Sequence, residues 1–213
     1  MSIVILETER YAVGDGDAFI KLTLPRLNED GCALEKNFSS YYGNLKRGFD
    51  KYVNAFLAPS AAKRQGAPYG ASVNTVLCRE TDKLLSLYTD VLLSDGKGTR
   101  QGRRAILWDK TTGNAVNPKN LFLKGAKRKI ISLLQEELQL KSEKSSVPLY
   151  GDALPKLKSQ FEWENFYLSP DSVIFFCEGN VLCQGYVPYP IPVSYKRLEE
   201  FFTIEALENL SLT

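Results

Sequence analysis

The stretch LLSLYTDVLLSDGKGTRQGRRAILWDKTTG, which runs from Leu84 to Gly113, decides the fold class. Residues 84–93 and 103–108 are rich in apolar and β-branched side chains, and the first run alternates at the period of a strand. Residues 95–98 lie between the two runs, residues 109–113 follow the second, and both segments have the composition of turns. Connections this short pair neighbouring strands antiparallel, so the stretch predicts a β-hairpin.

Further runs of β-forming residues lie on both sides of this hairpin. They predict strands at residues 3–13, 18–27, 72–78, 166–168, 173–177 and 191–195. Gly14-Asp15-Gly16-Asp17 and Ser169-Pro170-Asp171-Ser172 have the composition of turns between neighbouring strands.

Two longer segments have helical periodicity, at residues 33–57 and 126–140. Leucine and aromatic residues recur three or four positions apart in the first, which Pro59 ends, at Leu34, Phe38, Tyr41, Leu45, Phe49, Tyr52 and Phe56. Such a stripe indicates a helix that packs across a sheet, and its alternative is a ligand platform. Residues 152–161 predict a short helix, residues 141–146 a polar connector, and the last strand leads into a helical turn ending at Phe202.

These elements predict an α+β fold in which an antiparallel sheet built from hairpins packs against two amphipathic helices. The chain is expected to form one unit, residues 1–213, which can divide into two lobes. The N-terminal lobe would span about residues 1–107 and the C-terminal lobe about 108–202, with a short tail at 203–213.

The chain contains no histidine, which excludes imidazole as a catalytic base or metal ligand. A serine nucleophile would need a lysine base, and Ser60 with Lys63 and Ser94 with Lys97 have that spacing without the other motifs of such enzymes. Neighbouring acids, Glu162 with Glu164 and Glu199 with Glu200, are interpreted as solvated surface. We therefore predict no enzyme, no catalytic residue, no cofactor and no metal site.

The four cysteines are Cys32, Cys78, Cys177 and Cys183, and no two are spaced as C-x-x-C. They are interpreted as reduced core residues, and the alternative is a disulfide or thiol chemistry. The N-terminus has no basic segment, and its apolar run stops at Glu7, so the sequence predicts a cytoplasmic protein without a membrane span.

Positive charge is concentrated between residues 94 and 130, which contain ten basic residues and only two acidic ones. The candidate contacts for an anionic partner are Lys97, Arg100, Arg103, Arg104, Lys124, Lys127, Arg128 and Lys129. Residues 184–192 contain three prolines and two tyrosines, a stiff extended segment suited to an exposed edge or to a partner-binding lip. Tyr186 and Tyr189 are the candidate contacts of that lip.

The order of several motifs in the C-terminal half resembles a known family. The motifs are Trp108-Asp109-x-x-Thr112-Gly113, Leu121-Phe122, residues 166–176, Gly185 and Ile191-Pro192-Val193-Ser194-Tyr195. They resemble a domain-of-unknown-function family that occurs as the lysozyme-sensing domain of anti-sigma-V factors and as an accessory domain of peptidoglycan deacetylases. The resemblance covers about residues 84–202. It implies an α+β module that binds without chemistry of its own, in a family that is usually extracytoplasmic.

The sequence thus predicts a non-catalytic binding or regulatory module whose ligand is a protein or polymer surface. The alternative is a nucleic-acid-associated protein that uses a basic lobe at residues 97–129.

Overall fold

A computed structural model of the chain describes residues 3–11, 18–28, 31–57, 69–95, 98–144 and 148–212. The strands are β1 (Val4–Tyr11), β2 (Ala18–Leu27), β3 (Tyr69–Glu80), β4 (Leu84–Asp95), β5 (Thr99–Asp109), β6 (Phe166–Leu168), β7 (Ser172–Cys177) and β8 (Tyr189–Ser194). The α-helices are α1 (Glu35–Tyr52), α2 (Lys127–Lys144), α3 (Ala153–Ser159), α4 (Tyr195–Leu198) and α5 (Ile204–Asn209). A π-helical turn at Val53–Leu57 continues α1, and 3₁₀ turns form at Pro118–Leu121 and Glu199–Phe201.

The larger sheet has the strand order β1-β2-β3-β4-β5. Two predicted hairpins form, β1 with β2 and β4 with β5, and β3 pairs antiparallel with the other edge of β4. The β2–β3 pair is parallel, which the hairpin pattern did not predict. The chain leaves β2 and forms α1 before it enters β3, and such a crossover brings a strand back in the same direction. The predicted α+β class is confirmed, with a mixed larger sheet.

The aromatic stripe of α1 packs on one face of the larger sheet, as predicted for a core helix. Leu34, Phe38 and Tyr42 form one buried cluster with Leu85, Leu87 and Trp108. Phe49 and Val53 form a second cluster with Ile20, Leu22, Ala71 and Val73. Tyr42 is buried here, whereas the predicted Tyr41 is only half-buried. The side chain of Phe56, Pro59 and the turn at residues 14–17 lie outside the described residues.

The turn after β5 contacts the start of α1 and holds the helix on the sheet. The Asp109 carboxylate accepts hydrogen bonds from the amides of Thr111 (2.7 Å) and Thr112 (3.0 Å), as expected for aspartate in a turn. Gly113 is buried with a left-handed φ of 73°. The Asn37 side chain of α1 donates to the Gly113 carbonyl at 3.0 Å. The start of α1 is therefore fixed directly on the turn.

The smaller sheet has the order β6-β7-β8, is antiparallel throughout, and carries the largest core cluster with α2 and α3. The predicted hairpin of β6 and β7 is confirmed. Helix α2 continues to Lys144, so the predicted polar connector at 141–146 is wrong over its first four residues, and Ser145 and Ser146 lie outside the described residues. Helix α5 was not predicted. Its Thr203 cap accepts from the Ala206 amide, and Ala206 and Leu210 are buried.

The two sheets join through polar contacts as well as apolar ones. The buried Ser86 hydroxyl of β4 accepts a hydrogen bond from the Leu168 amide of β6 at 2.9 Å. The Arg79 guanidinium of β3 donates to the carbonyls of Ser169 and Leu210 and lies 4.7 Å from the centroid of the Tyr195 ring.

The division into lobes near residue 107 stays a prediction. Among the described helices, none is both long and apolar enough to cross a membrane.

Candidate binding surface

The loop between β7 and β8, residues 178–188, is closed by its own hydrogen bonds. The Asn180 amide donates to the Gly185 carbonyl at 2.6 Å, and the Gly185 amide donates to the Asn180 side-chain oxygen at 3.0 Å. Asn180 has a φ of 62°, a left-handed conformation that asparagine tolerates better than most residues. These contacts give the loop a defined base.

Two further contacts anchor the loop to the body. Leu182 is fully buried in the largest core cluster, and its carbonyl accepts from the Tyr150 amide at 2.8 Å. Gly179 lies directly under the backbone of Tyr186, because a Cβ at position 179 would be 2.2 Å from the Tyr186 carbonyl oxygen. The position of Tyr186 therefore depends on a glycine seven residues earlier in the chain.

The end of the loop that leads into β8 presents two large apolar side chains to solvent. Tyr186 is 56% exposed and Val187 is 62% exposed, whereas the next residue, Pro188, is buried. Exposed aromatic residues on an ordered backbone are typical of protein-binding sites. The predicted lip residue Tyr186 is thus accessible, and Val187, which the sequence pattern did not single out, lies beside it.

Tyr189, the other predicted lip residue, faces the body. Its ring packs on the largest core cluster, and the Lys141 ammonium lies 4.7 Å from the ring centroid. Lys141 donates to the Pro190 carbonyl at 2.7 Å. Burial lowers the pKa of Lys141 and raises the pKa of Tyr189. Tyr189 and Lys141 therefore hold the start of β8, the strand that follows the loop, against the body.

The candidate basic contacts divide between two elements. Arg100 and Arg104 are exposed on the edge strand β5, and Lys124, Lys127, Arg128 and Lys129 are exposed at the start of α2. Lys127 lies 5.2 Å from the Phe161 ring and Lys129 lies 5.9 Å from the Phe201 ring, so two of these side chains cover aromatic residues of the body. Lys97 lies outside the described residues.

Arg103 differs from the other basic residues because it is buried. Its guanidinium donates to both carboxylate oxygens of Asp90, at 2.7 and 2.8 Å. It also lies 4.0 Å from the Tyr88 ring, 5.6 Å from Tyr167 and 5.7 Å from Phe176. Tyr88 belongs to the larger sheet and the other two rings to the smaller one. Arg103 therefore joins the sheets, with its side chain only 8% exposed.

Most residues of the two serine–lysine pairs lie outside the described part of the chain. Ser60, Lys63 and Lys97 lie outside the described residues, and Ser94 is buried in β4. Glu162, Glu164, Glu199 and Glu200 are exposed, in agreement with their interpretation as solvated surface. In the part of the chain that the structure describes, no group of three or more acidic or cysteine side chains could hold a metal ion.

The four cysteines are free thiols, and Cys177 and Cys183 are buried. Burial raises the pKa of Cys177 to about 12 and that of Cys78 to about 12. Since the thiolate is the reactive form, we expect Cys32 to react first with iodoacetamide at pH 8, with Cys78 and Cys177 protected until denaturant is added. Peptide mass spectrometry after timed labelling measures this order. Equal native rates at Cys32 and Cys177 would contradict the burial.

Two solved structures share this arrangement of sheets and helices. One is a DUF3298 family protein from Pseudomonas aeruginosa PAO1, with a TM-score of 0.63, 15% sequence identity, and coverage of 97% of this chain and 96% of that chain. The chain has the fold of DUF3298 proteins. A DUF3298 family member from Bacteroides fragilis NCTC 9343 gives a TM-score of 0.68 at 17% identity, over 99% of this chain and 96% of that one. No protein-family model and no curated protein matches the sequence.

Proposed function

We propose that this chain is a non-catalytic binding module that uses its DUF3298 fold to present the β7–β8 loop to a protein partner. The observation that carries the proposal is the exposure of Tyr186 and Val187 on a loop that Leu182 and Gly179 hold in place. Because the loop is already ordered, binding would cost little conformational entropy. Tyrosine is among the residues that contribute most to protein interfaces.

The resemblance to the lysozyme-sensing domain of anti-sigma-V factors gives the finer form of this proposal. It favours a folded protein over a polymer as the ligand, and a regulatory role over a purely structural one. The absence of histidine from the whole chain supports binding without chemistry, because it removes the commonest catalytic base.

Site-specific photo-crosslinking tests the loop. A benzoylphenylalanine in place of Tyr186 is expected to capture a discrete protein from an extract of the source organism, or added lysozyme. The same group in place of Phe19, an aromatic residue that is 44% exposed on β2, is the matched control and is expected not to capture it. Capture of the same proteins at both positions would contradict the proposal.

A pair of glycine variants then tests the loop geometry with the captured protein. Gly179→Ala keeps every exposed side chain but forces the Tyr186 backbone to move, and it is expected to weaken binding about as much as Tyr186→Ala, on the order of thirtyfold. Gly151→Ala is the control, because a Cβ there meets nothing within 4 Å. Unchanged affinity in Gly179→Ala and Tyr186→Ala would overturn the proposal.

Binding that falls steeply with salt and is competed by DNA would instead favour the nucleic-acid alternative.

A further inference from the structure

We propose that the outer edge of β5 binds an acidic, extended segment of a partner protein, which joins the larger sheet as an additional strand. β5 is the last strand of that sheet, and no strand in the described part of the chain pairs with its outer edge. Backbone amides and carbonyls along such an edge can hydrogen-bond to an incoming extended peptide. The surface does not include Tyr186 or Val187, so the inference goes beyond the function proposed for the β7–β8 loop.

Two hydrogen bonds cover the second half of this edge. The Leu107 carbonyl accepts from the Val116 amide at 2.7 Å, and the Arg103 amide donates to the carboxylate of Glu178, the first residue of the β7–β8 loop. The amide and carbonyl of a residue in an antiparallel strand point to the same side, and the side alternates along the chain. Gln101, two residues before Arg103, therefore presents both groups outward, and no described backbone group bonds to them on that side. The first half of β5 is thus the part that a new strand can join.

The exposed charges of this edge favour an acidic ligand. Arg100 and Arg104 are exposed on the same face of β5, and neither forms an ion pair with a described residue. Arg103 is paired with Asp90, and the Glu178 carboxylate can balance only one of the two exposed arginines. Acidic side chains on an added strand, placed opposite the arginines, would supply the missing charge.

The same arginines argue against a second copy of this chain as the added strand. Two β5 edges that paired antiparallel about a twofold axis would bring Arg100 and Arg104 of one copy close to those of the other. Like charges directly opposite each other destabilise a pair of strands. The ligand is therefore a different protein, with acids where this chain has arginines.

The edges formed by β1 and β8 fit such a ligand less well. β1 carries Glu7 and Glu9, which would lie close to the acids of the ligand. β8 contains Pro190 and Pro192, which have no amide to donate to an added strand. β5 contains no proline, and its register with β4 runs without a bulge from Leu84 to Thr99. Its edge is therefore straight and can donate hydrogen bonds along its open half.

Fluorescence anisotropy with the full chain tests the proposal. The probe is a fluorescein-labelled peptide in which glutamate alternates with valine or threonine. Gln101→Pro removes an outward amide but no bond to β4, and it is expected to weaken binding at least about tenfold. The matched control is Leu6→Pro on β1, the opposite edge of the same sheet, which is expected to leave binding within about twofold. The Leu6 amide also points outward, because the Ile3 carbonyl, three residues earlier, accepts from Asn28 on the β2 side.

Charge reversal tests the acidic character of the ligand. Arg100→Glu is expected to weaken binding of the probe at least about fivefold. Lys51→Glu on α1 changes the net charge equally at an exposed lysine and is expected to leave binding within about twofold.

Two N-methylated forms of the probe test the strand geometry without changing the protein. In one form the methyl groups are on the amides of the odd-numbered residues, and in the other on those of the even-numbered residues. An added strand directs only one of these sets toward β5. One form is therefore expected to lose binding, and the other to keep it.

Four outcomes would overturn the inference. They are equal weakening by the two proline variants, equal affinity for a probe with lysine in place of glutamate, equal affinities of the two methylated forms, and no saturable binding up to about 1 mM probe. Self-association of the chain that Gln101→Pro abolishes would likewise assign the edge to a second copy. Tyr186→Ala is expected to bind the probe normally, so failure here and failure of the loop proposal can be told apart.

Discussion

Replacement of Arg103 by alanine is expected to lower the free energy of unfolding by about 3–5 kcal/mol, the cost of breaking a buried ion pair by removing one partner. The variant loses both hydrogen bonds to Asp90 and leaves that carboxylate, which is 18% exposed, without its cation. It also opens a space between the Tyr88, Tyr167 and Phe176 rings. Urea denaturation followed by tryptophan fluorescence measures the change.

The neighbouring residue supplies the control for this experiment. Arg104 is exposed on the same strand, and its replacement by alanine is expected to change the stability by less than about 0.5 kcal/mol. The double variant Arg103→Leu/Asp90→Leu is expected to be more stable than Arg103→Ala, because it removes the unpaired charge together with its partner. If Arg103→Ala were no less stable than Arg104→Ala, Arg103 would not join the two sheets in the way its contacts indicate.

The sequence predicted that Arg103 belongs to a basic surface, whereas the structure buries it against Asp90. The pairing of β4 with β5 explains the difference. Asp90 and Arg103 are directly opposite each other in the register of β4 and β5. Composition cannot show this, since it counts charges without placing them on a face. The turn at residues 95–98 could have supplied the register, because pairs counted outward from Ser94 and Thr99 reach Asp90 and Arg103.

The local elements could be predicted from periodicity, and the long-range pairing could not. Each predicted hairpin depends on a short turn, which the sequence shows directly. The parallel pair β2–β3 is made across α1, between segments whose own patterns do not identify their partner. For the same reason, the sequence pattern could not distinguish Tyr186 from Tyr189 as candidate contacts. Both lie among prolines, but only the structure shows that Tyr189 already belongs to β8 and packs on the core, whereas Tyr186 lies in the loop before it.

A second large loss of stability is expected for Gly113→Ala, about 2–5 kcal/mol. A Cβ at this position would lie 1.9 Å from the carbonyl oxygen of Ala33. This oxygen belongs to the backbone just before α1, so it cannot move away without moving the start of the helix. Overpacking of this kind costs about 1–3 kcal/mol, and the left-handed φ of 73° adds about 1–2 kcal/mol for any residue with a Cβ. Thermal and urea unfolding of the purified variant measure the sum.

Gly125→Ala separates the two contributions. Gly125 has a similar left-handed φ of 89°, but a Cβ there would meet nothing within 4 Å. The free energy of unfolding of Gly125→Ala is therefore expected to fall only by the cost of the left-handed backbone, about 1–2 kcal/mol. The difference between the two variants measures the contact between the turn after β5 and the start of α1. Equal losses would mean that this turn does not hold the helix on the sheet, and that the aromatic stripe of α1 is positioned by its side chains alone.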